Sequence, residues 1–314
     1  MAFWLEQVSK ARSSTAWYAL SGADNGGAAG RFASESKTVP ELPEVEAVRL
    51  ELAPILEGAH VDQVLLRRAN LRRTFPGQFD SRVAGTTVLR LRRRGKYLLA
   101  DLSSGDTLIM HLGMSGSFRI EPAHHHPEPH DHVVFDLTSG RAIVFNDPRR
   151  FGVMDLIATR DVERSLRRGG LGPEPLSPAF DGAALAAGCG RTRRSIKVAL
   201  LDQAIVAGIG NIYASEALHL ARLSPRLPAA AIAFADRSPR PAAHRLAGAI
   251  TAVLRRAVDQ LTTAEGSQRF RVYDRGGAAC LRRGCAGRIR RITQAGRSTY
   301  YCPVCQRRRP LAAL

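Results

Sequence analysis

The stretch Ala207-Gly208-Ile209-Gly210-Asn211 lies between two runs with helical spacing of apolar residues, 195–203 and 212–221. Glycine tolerates backbone angles that other residues avoid, so the two glycines predict a tight turn. Asn211 is a favourable N-cap for the second helix. Such a unit presents backbone amides at a helix N-terminus, where a phosphate group can bind. The alternative interpretation is an ordinary helical hairpin. A third, longer helix is predicted over 242–261.

The chain before this helical region has the pattern of a β protein. A helix is predicted to begin at Leu42, with Pro43 in its first turn and apolar residues at helical spacing through Ile55. Short β-rich runs separated by turn residues then predict a sandwich or a barrel. These runs are 61–66, 86–91, 97–102, 107–112, 132–137, 142–145 and 153–157. The Gly- and Pro-containing segment 171–175 is predicted to be a linker.

Four of the five cysteines lie near the end of the sequence in two close pairs. Cys280 and Cys285 are separated by four residues, Cys302 and Cys305 by two, and sixteen residues lie between the pairs. Two close pairs of thiolates suit one tetrahedral structural zinc ion with no open coordination position. The flanking β-rich segments 272–273 and 299–301 predict a hairpin around the site. Cys189 stands apart and is interpreted as a small buried or partly exposed apolar residue.

The charge of the chain points to a polyanionic partner. The formal net charge is +18, and nine arginines with no Asp, Glu or Lys follow residue 279. Nucleic acid is the first candidate. An anionic membrane is the alternative, but no apolar run approaches the roughly 20 residues needed to span a bilayer. Beyond residue 39 the chain has two lysines, Lys96 and Lys197. A lysine can exchange protons where an arginine cannot, so these two are candidate functional residues.

Several separate motifs resemble the formamidopyrimidine-DNA glycosylases, a family of bifunctional base-excision enzymes for oxidised purines. In chain order they are Pro40-Glu41-Leu42-Pro43-Glu44-Val45-Glu46, Gly95-Lys96-Tyr97, His111-Leu112-Gly113-Met114-Ser115-Gly116, His130-Asp131-His132, Asp147-Pro148-Arg149-Arg150-Phe151-Gly152, Gly210-Asn211-Ile212-Tyr213-Ala214-Ser215-Glu216 and Gly296-Arg297-Ser298-Thr299-Tyr300-Tyr301-Cys302. The resemblance implies an α+β multidomain fold. Its parts are an N-terminal β-sandwich with a flanking helix over 40–170, a helical domain with a helix–two-turn–helix over 171–270, and a zinc-finger β-hairpin over 271–309.

The resemblance also implies the catalytic residues. Pro40, as a free N-terminal secondary amine, is the expected nucleophile at C1′ of the damaged nucleotide, with β- and δ-elimination following from the iminium. Glu41 is the expected acid/base, Lys96 the proton donor in β-elimination, and Arg297 a residue of phosphate binding and δ-elimination. A simpler interpretation of Glu41 and Glu44 is that they are first-turn acids stabilising a helix dipole.

Contacts with damaged double-stranded DNA are implied for seven further positions. An everted nucleotide leaves a gap in the duplex that inserted side chains fill. The expected inserted residues are Met114, Arg149 and Phe151. Taken alone, Met114 and Phe151 are more often core residues, but their turn-rich flanks favour exposed loop tips. His130 and Asn211 are expected to contact phosphates and Lys197 to lie near the damaged base. Arg193 completes the set of expected DNA-binding residues.

The sequence departs from the family pattern at three places. Pro40 is preceded by 39 residues, and an internal proline has a planar amide nitrogen without nucleophilic character. Residues 1–39 are predicted to be a disordered leader without the apolar segment of a signal peptide, or an upstream extension with the true start at position 39. One valine codon, GTG, also initiates translation in bacteria and is then read as methionine, whose removal before proline would leave Pro40 free. The loop over 262–271 is short for a lid over an oxidised purine. The first cysteine pair is wider than usual.

These departures leave two alternatives open. One is an endonuclease VIII-like glycosylase for oxidised pyrimidines, and the other is a catalytically blocked, zinc-containing binder of damaged DNA. In every case the sequence predicts a monomer in the cytoplasm, associated with the nucleoid and not with a membrane.

Overall fold

The computed structural model describes residues 39–263 and 269–307. The predicted leader therefore lies outside the described residues except for Val39, as does the centre of the short loop over 262–271. The described chain divides into two compact units. One comprises residues 39–40 and 44–166 and is called the sandwich unit below. The other comprises residues 41–43 and 167–307 and is called the helical unit.

The sandwich unit contains two four-stranded antiparallel sheets. The strands are β1 Val61–Leu66, β2 Val88–Arg94, β3 Tyr97–Leu102, β4 Asp106–His111, β5 Ser117–Pro122, β6 Asp131–Leu137, β7 Arg141–Asn146 and β8 Val153–Ala158. Their orders are β1-β6-β7-β5 and β2-β3-β4-β8. Buried side chains from both sheets, among them Phe135, Phe145, Leu98 and Met110, form one apolar core. The alternative of a barrel is therefore wrong, and the predicted sandwich is confirmed.

Two predicted strands, Val61–Leu66 and Tyr97–Leu102, have the observed bounds, and the other five differ by one to three residues at an end. Strand β5 was not predicted. Its apolar residues Phe118 and Ile120 alternate with charged residues over a short length, and it ends at Pro122. Such a strand is tolerated because β5 lies at the edge of its sheet, where proline costs no ladder hydrogen bond.

The helices are α1 Leu42–Leu56, α2 Phe79–Val83, α3 Val162–Arg168, α4 Gly182–Cys189, α5 Ile196–Leu200, α6 Asn211–Leu220 and α7 Pro241–Thr262. Two short 3-10 helices, Thr159–Asp161 and Ala229–Ile232, complete the set in the described residues. The core of the helical unit contains buried residues of α4 to α7, together with Leu42 and Cys189. None of the helices in the described ranges is long and apolar enough to cross a bilayer.

Three local predictions in the helical unit were wrong. Helix α5 ends at Leu200 instead of residue 203, because the Asp202 side chain accepts the Ala204 amide at 3.1 Å and starts a turn. Helix α6 begins at Asn211 with Gly210 as its N-cap, so Asn211 does not cap it. Residues 272–273 are not a strand. The hairpin is instead formed by β9 Arg290–Gln294 and β10 Arg297–Tyr301.

Candidate functional site

The two glycines of the turn before α6 allow the segment Glu41–Leu42 to approach closely. Gly208 has φ +80°, and a Cβ there would lie 2.6 Å from Leu42 Cδ1. Its carbonyl accepts the Leu42 amide at 3.0 Å. A Cβ on Gly210 would collide with the Glu41 carboxyl group. Glycine is required at both positions, for the left-handed backbone at the first and for the space at both.

Glu41 caps helix α6 from far away in the sequence. Its side chain is 3% exposed. One carboxylate oxygen accepts the amides of Gly210 at 2.7 Å and Tyr213 at 3.4 Å, and the other accepts that of Ile212 at 2.9 Å. A helix N-terminus carries amides without helical partners and a partial positive charge, so a carboxylate is stabilised there. Glu41 therefore does stabilise a helix dipole, but it is the dipole of α6.

Lys197, which is buried, and Asn211, which is half-buried, form a pair next to this cap. The Lys197 ammonium donates a short hydrogen bond to Asn211 Oδ1, and Asn211 Nδ2 donates to the Ser298 carbonyl oxygen at 3.0 Å. Asn211 thus joins the start of α6 to the residue after Arg297 in β10. The side-chain amide of Asn211 was expected to contact a phosphate, but its oxygen and its nitrogen both form hydrogen bonds within the protein.

Burial changes the proton affinity of Lys197. Its side chain is fully buried. Burial, and then the positive charge of Arg297, lower the pKa of Lys197 to about 8, while the negative charge of Glu41 opposes the shift. An amine with a pKa of about 8 is mostly protonated near neutral pH but releases its proton more readily than an ordinary lysine. The structure thus brings Glu41, Lys197, Asn211 and Arg297 together within the helical unit.

Arg297 follows a two-residue turn in the zinc hairpin. Gln294 and Arg297 are paired, and Ala295 and Gly296 between them have φ +47° and +73°. Two positive φ angles define the type I′ turn that suits the twist of a hairpin. The turn holds the exposed Arg297 side chain at the tip of the hairpin.

The four cysteines fit a structural zinc ion. The Sγ atoms of Cys280 and Cys305 are 3.9 Å apart and those of Cys285 and Cys302 are 3.7 Å apart, and all four lie within 4.8 Å of one another. A tetrahedron of sulfurs with zinc–sulfur distances of about 2.3 Å has edges of about 3.8 Å. These residues hold one zinc ion, whose chemistry is to fix the hairpin and not to react.

In the sandwich unit, Lys96 follows Gly95 in the two-residue turn between β2 and β3. Its charge acts on His111, a residue of the motif His111–Gly116 for which the sequence predicted no role. Burial first, and then the charges of Lys96 and Arg72, lower the pKa of His111 to about 4. The Gly113 amide donates to His111 Nδ1 at 3.0 Å, so the neutral ring carries its hydrogen on Nε2.

Met114, Arg149 and Phe151 lie on two exposed loops of the sandwich unit. Met114 is 40% exposed and Phe151 37%, so the alternative of core positions is wrong. The Arg149 guanidinium carbon lies 5.0 Å from the centre of the Phe151 ring. A Cβ on Gly113 would collide with the Phe151 backbone, so the two loops are in direct contact.

Asp147 connects these two loops and was not identified from the sequence. The fully buried carboxylate accepts Ser115 Oγ at 2.5 Å and the Gly152 amide at 2.7 Å. Ser115 Oγ in turn accepts the Arg149 amide at 3.2 Å. One carboxylate therefore determines the shape of both loops. In the sequence, the only sign of this role was that Asp147 directly precedes a proline in the motif Asp147–Gly152.

The remaining expected site residues lie at the surface. His130 is exposed and has φ +71°, an unusual angle for a residue with a side chain, and its carbonyl accepts the Asp147 amide at 3.0 Å. Backbone strain of this kind concentrates at functional sites. Arg193 is exposed in the segment before α5, and Pro40 is partly exposed immediately before α1 and Glu41.

Fold and site define a zinc-containing protein with a helix–turn–helix unit and a β-sandwich. Three family models match the chain. They are the formamidopyrimidine-DNA glycosylase N-terminal domain over residues 39–154, the formamidopyrimidine-DNA glycosylase H2TH domain over residues 171–268, and the zinc finger found in FPG and IleRS over residues 279–308. The chain belongs to the formamidopyrimidine-DNA glycosylase family, as the sequence motifs predicted.

Relatives from several bacteria extend over most of the chain. The formamidopyrimidine-DNA glycosylase of Rhodopseudomonas palustris (strain BisA53) is 50% identical over 293 residues, which cover 86% of this chain and 100% of the relative. The enzyme of Bradyrhizobium sp. (strain BTAi1) is 49% identical with the same coverage. A crystal structure of the Lactococcus lactis enzyme with a Fapy-dG containing DNA has 30% identity and a TM-score of 0.75, and covers 85% of this chain and 100% of its own. The L. lactis enzyme has also been solved with an abasic site containing DNA, at 31% identity and a TM-score of 0.75.

Proposed function

We propose that this protein excises oxidised purines from double-stranded DNA, formamidopyrimidines and 8-oxoguanine among them, and then cleaves the abasic strand. The observation that carries the proposal is the carboxylate of Glu41, held by three amides at the start of α6. This arrangement places a preorganised acidic group immediately after Pro40. Preorganisation of charged groups is a main source of catalytic power.

The chemistry that we propose begins at Pro40. Its amine, when free, attacks C1′ while the bond from C1′ to the base breaks, and Glu41 handles the protons of base departure and ring opening. The resulting iminium carries a permanent positive charge because a secondary amine forms it. It withdraws electrons from the sugar, so that the 3′ and then the 5′ C–O bonds break by β- and δ-elimination. Lys96 supplies a proton in the first elimination, and Arg297 stabilises the phosphate that leaves.

The DNA-binding residues that we propose belong to both units. Exposed Met114, Arg149 and Phe151 suit insertion into the gap left by an everted nucleotide. His130 and Arg193 suit phosphates as exposed donors. The Lys197–Asn211 pair lies beside Glu41 and suits a position near the damaged base. The net charge of +18 supports an association with DNA, and we propose that the protein is cytoplasmic and associated with the nucleoid. We further propose a monomer, with domains over 40–170, 171–270 and 271–309.

Excision from matched duplexes tests this substrate class. We expect duplexes with formamidopyrimidine or 8-oxoguanine to be cleaved at least about tenfold faster than those with thymine glycol, a difference of about 1.4 kcal/mol in activation free energy. The measurement is single-turnover cleavage of labelled duplexes at equal enzyme concentration. Faster cleavage of the thymine glycol duplex would assign the protein to the pyrimidine-specific alternative.

Asp147→Asn is expected to weaken recognition of damaged DNA. The new amide group replaces one of two acceptor oxygens by a donor, so either Ser115 or Gly152 loses its partner, at a cost of about 1–3 kcal/mol in the free energy of unfolding. We expect a roughly tenfold loss of preference for an abasic-analogue duplex over an intact one, equivalent to about 1.4 kcal/mol. Fluorescence anisotropy measures both affinities.

Two variants serve as controls for Asp147→Asn. Ser115→Ala removes the hydrogen bonds of Oγ to Asp147 and from the Arg149 amide but leaves the carboxylate and its bond to Gly152, and should have the smaller effect. Asp62→Asn changes an exposed carboxylate of the same unit and should have none. An Asp147→Asn protein with unchanged preference for the abasic duplex would contradict the role of this carboxylate in shaping the loops.

A further inference from the structure

The last turn of helix α6 reaches the zinc site through His219. The ring is fully buried, and its Nε2 lies 3.4 Å from the Sγ of Cys280, which is itself buried. None of the family motifs quoted above includes this histidine. It is also absent from the group of four residues that hold the metal. Its contact with a zinc ligand is therefore additional to the coordination sphere.

The protonation of the ring follows from the chemistry of the sulfur. A cysteine that coordinates zinc is a thiolate, which accepts hydrogen bonds and has no hydrogen to donate. The contact is favourable only when His219 Nε2 carries the hydrogen and donates it. His219 Nδ1 is buried without a hydrogen-bond partner among the described residues. The ring is therefore oriented so that Nε2 contacts the sulfur, while Nδ1 has no hydrogen-bond partner among the described residues.

Neighbouring contacts hold His219 in this position. Arg282, two residues after Cys280, donates from Nη2 to the carbonyl oxygens of His219 at 2.6 Å and Leu220 at 3.4 Å. A cation at the carbonyls of the last turn stabilises the C-terminus of α6. One turn earlier, the Glu216 carboxylate accepts the amides of Arg271, Val272 and Tyr273 at 2.8–2.9 Å. Helix α6 therefore contacts residues 271–307, called the zinc module below, at two successive turns.

We propose that His219 is a positioning residue for the zinc site, which donates a hydrogen bond from Nε2 to the zinc-bound thiolate of Cys280. Four thiolates on one Zn²⁺ carry a net charge of −2, and a buried donor to one of them stabilises that charge. Partners of metal ligands typically contribute about 10- to 100-fold to metal affinity. The same bond links α6, which carries Asn211 at its other end, to the module that carries Arg297.

The test uses the full zinc-loaded chain and its cobalt(II)-substituted form. His219→Phe keeps an aromatic ring but removes the donor, and we expect zinc transfer to a chromogenic chelator to become about 10- to 100-fold faster. In the cobalt protein, the thiolate-to-metal charge-transfer band should move to longer wavelength, because a thiolate without its donor is oxidised more easily. His219→Gln retains an amide donor at about the Nε2 position and should restore most of both properties. His60→Phe, at an exposed histidine, should change neither.

Each outcome decides the proposal. Faster zinc loss in His219→Phe without a shift of the charge-transfer band, or with no rescue by His219→Gln, would mean that the ring acts by packing alone and would overturn it. A measurement on the unaltered protein does not depend on either variant folding. Long-range ¹H–¹⁵N NMR of the histidine rings should show hydrogen on Nε2 of His219 and none on Nδ1. Hydrogen on Nδ1 would overturn the proposal.

Discussion

Protein that begins at Pro40 is expected to form a covalent adduct with abasic-site DNA in the presence of borohydride, whereas protein in which residues 1–39 are retained is expected to form none. Borohydride reduces an iminium between an amine and the sugar and makes it permanent. A free proline nitrogen has the lone pair that this requires and a pKa of about 8. The same nitrogen inside a peptide bond is conjugated with the carbonyl group and cannot attack.

Two further chains sharpen this experiment. A chain that begins at Val39 has a free amine one residue away from the proposed nucleophile, and we expect it to trap poorly. A chain with glycine in place of Pro40 at its N-terminus has a primary amine at the correct position. It should trap DNA and retain a much reduced lyase activity. If zinc-loaded protein with a verified free Pro40 forms no adduct, the assignment of the nucleophile fails.

Glu41→Gln is expected to cause a large loss of base excision while the affinity for DNA changes little. The amide has the size of the carboxylate, but it is not ionised and its nitrogen cannot accept a hydrogen bond from the amides of Gly210, Ile212 or Tyr213. General acid–base catalysis contributes about 10²- to 10⁴-fold to a rate, so excision in a single turnover should fall by that factor. At least one buried amide also loses its acceptor, which lowers the free energy of unfolding by about 1–3 kcal/mol.

Separate assays distinguish these effects of Glu41→Gln. Excision of the base and cleavage of a pre-formed abasic site are followed with labelled duplexes, while anisotropy gives the affinity for an abasic analogue and thermal melting gives the stability. Glu163→Gln, at an exposed carboxylate of the sandwich unit, is the control and should match the unaltered protein. Equal excision rates for Glu41→Gln and the unaltered protein would refute the proposed acid/base role.

Much of the fold follows from local patterns. Strands β1 and β3 have the predicted bounds because each run, rich in apolar residues, lies between charged or turn-forming residues. The zinc site follows from the spacing of the four cysteines, since two close pairs of thiolates suit few structures other than a tetrahedral metal site. The family follows from the order of the motifs along the chain.

Predictions failed where a side chain from elsewhere changes a local preference. Asn211 is a good N-cap by residue type, yet the cap of α6 is the carboxylate of Glu41, 171 residues before Ile212. Residues 272–273 have β propensity, but Glu216 binds their amides and keeps them out of a strand. Local propensity amounts to less than about 1 kcal/mol per residue, so a single buried charged hydrogen bond outweighs it.

The sequence by itself determined the fold class, the family and the four zinc ligands, because each depends on spacings within short segments. Only the tertiary structure decided that Glu41 caps α6, that Asp147 shapes the loops of Ser115 and Gly152, and that His219 contacts Cys280. The pairs Ser115–Asp147, His219–Cys280 and Glu41–Ile212 are 32, 61 and 171 residues apart in the chain. Which acceptor meets which donor at such separations depends on how the elements pack, and neither partner's local sequence contains that information.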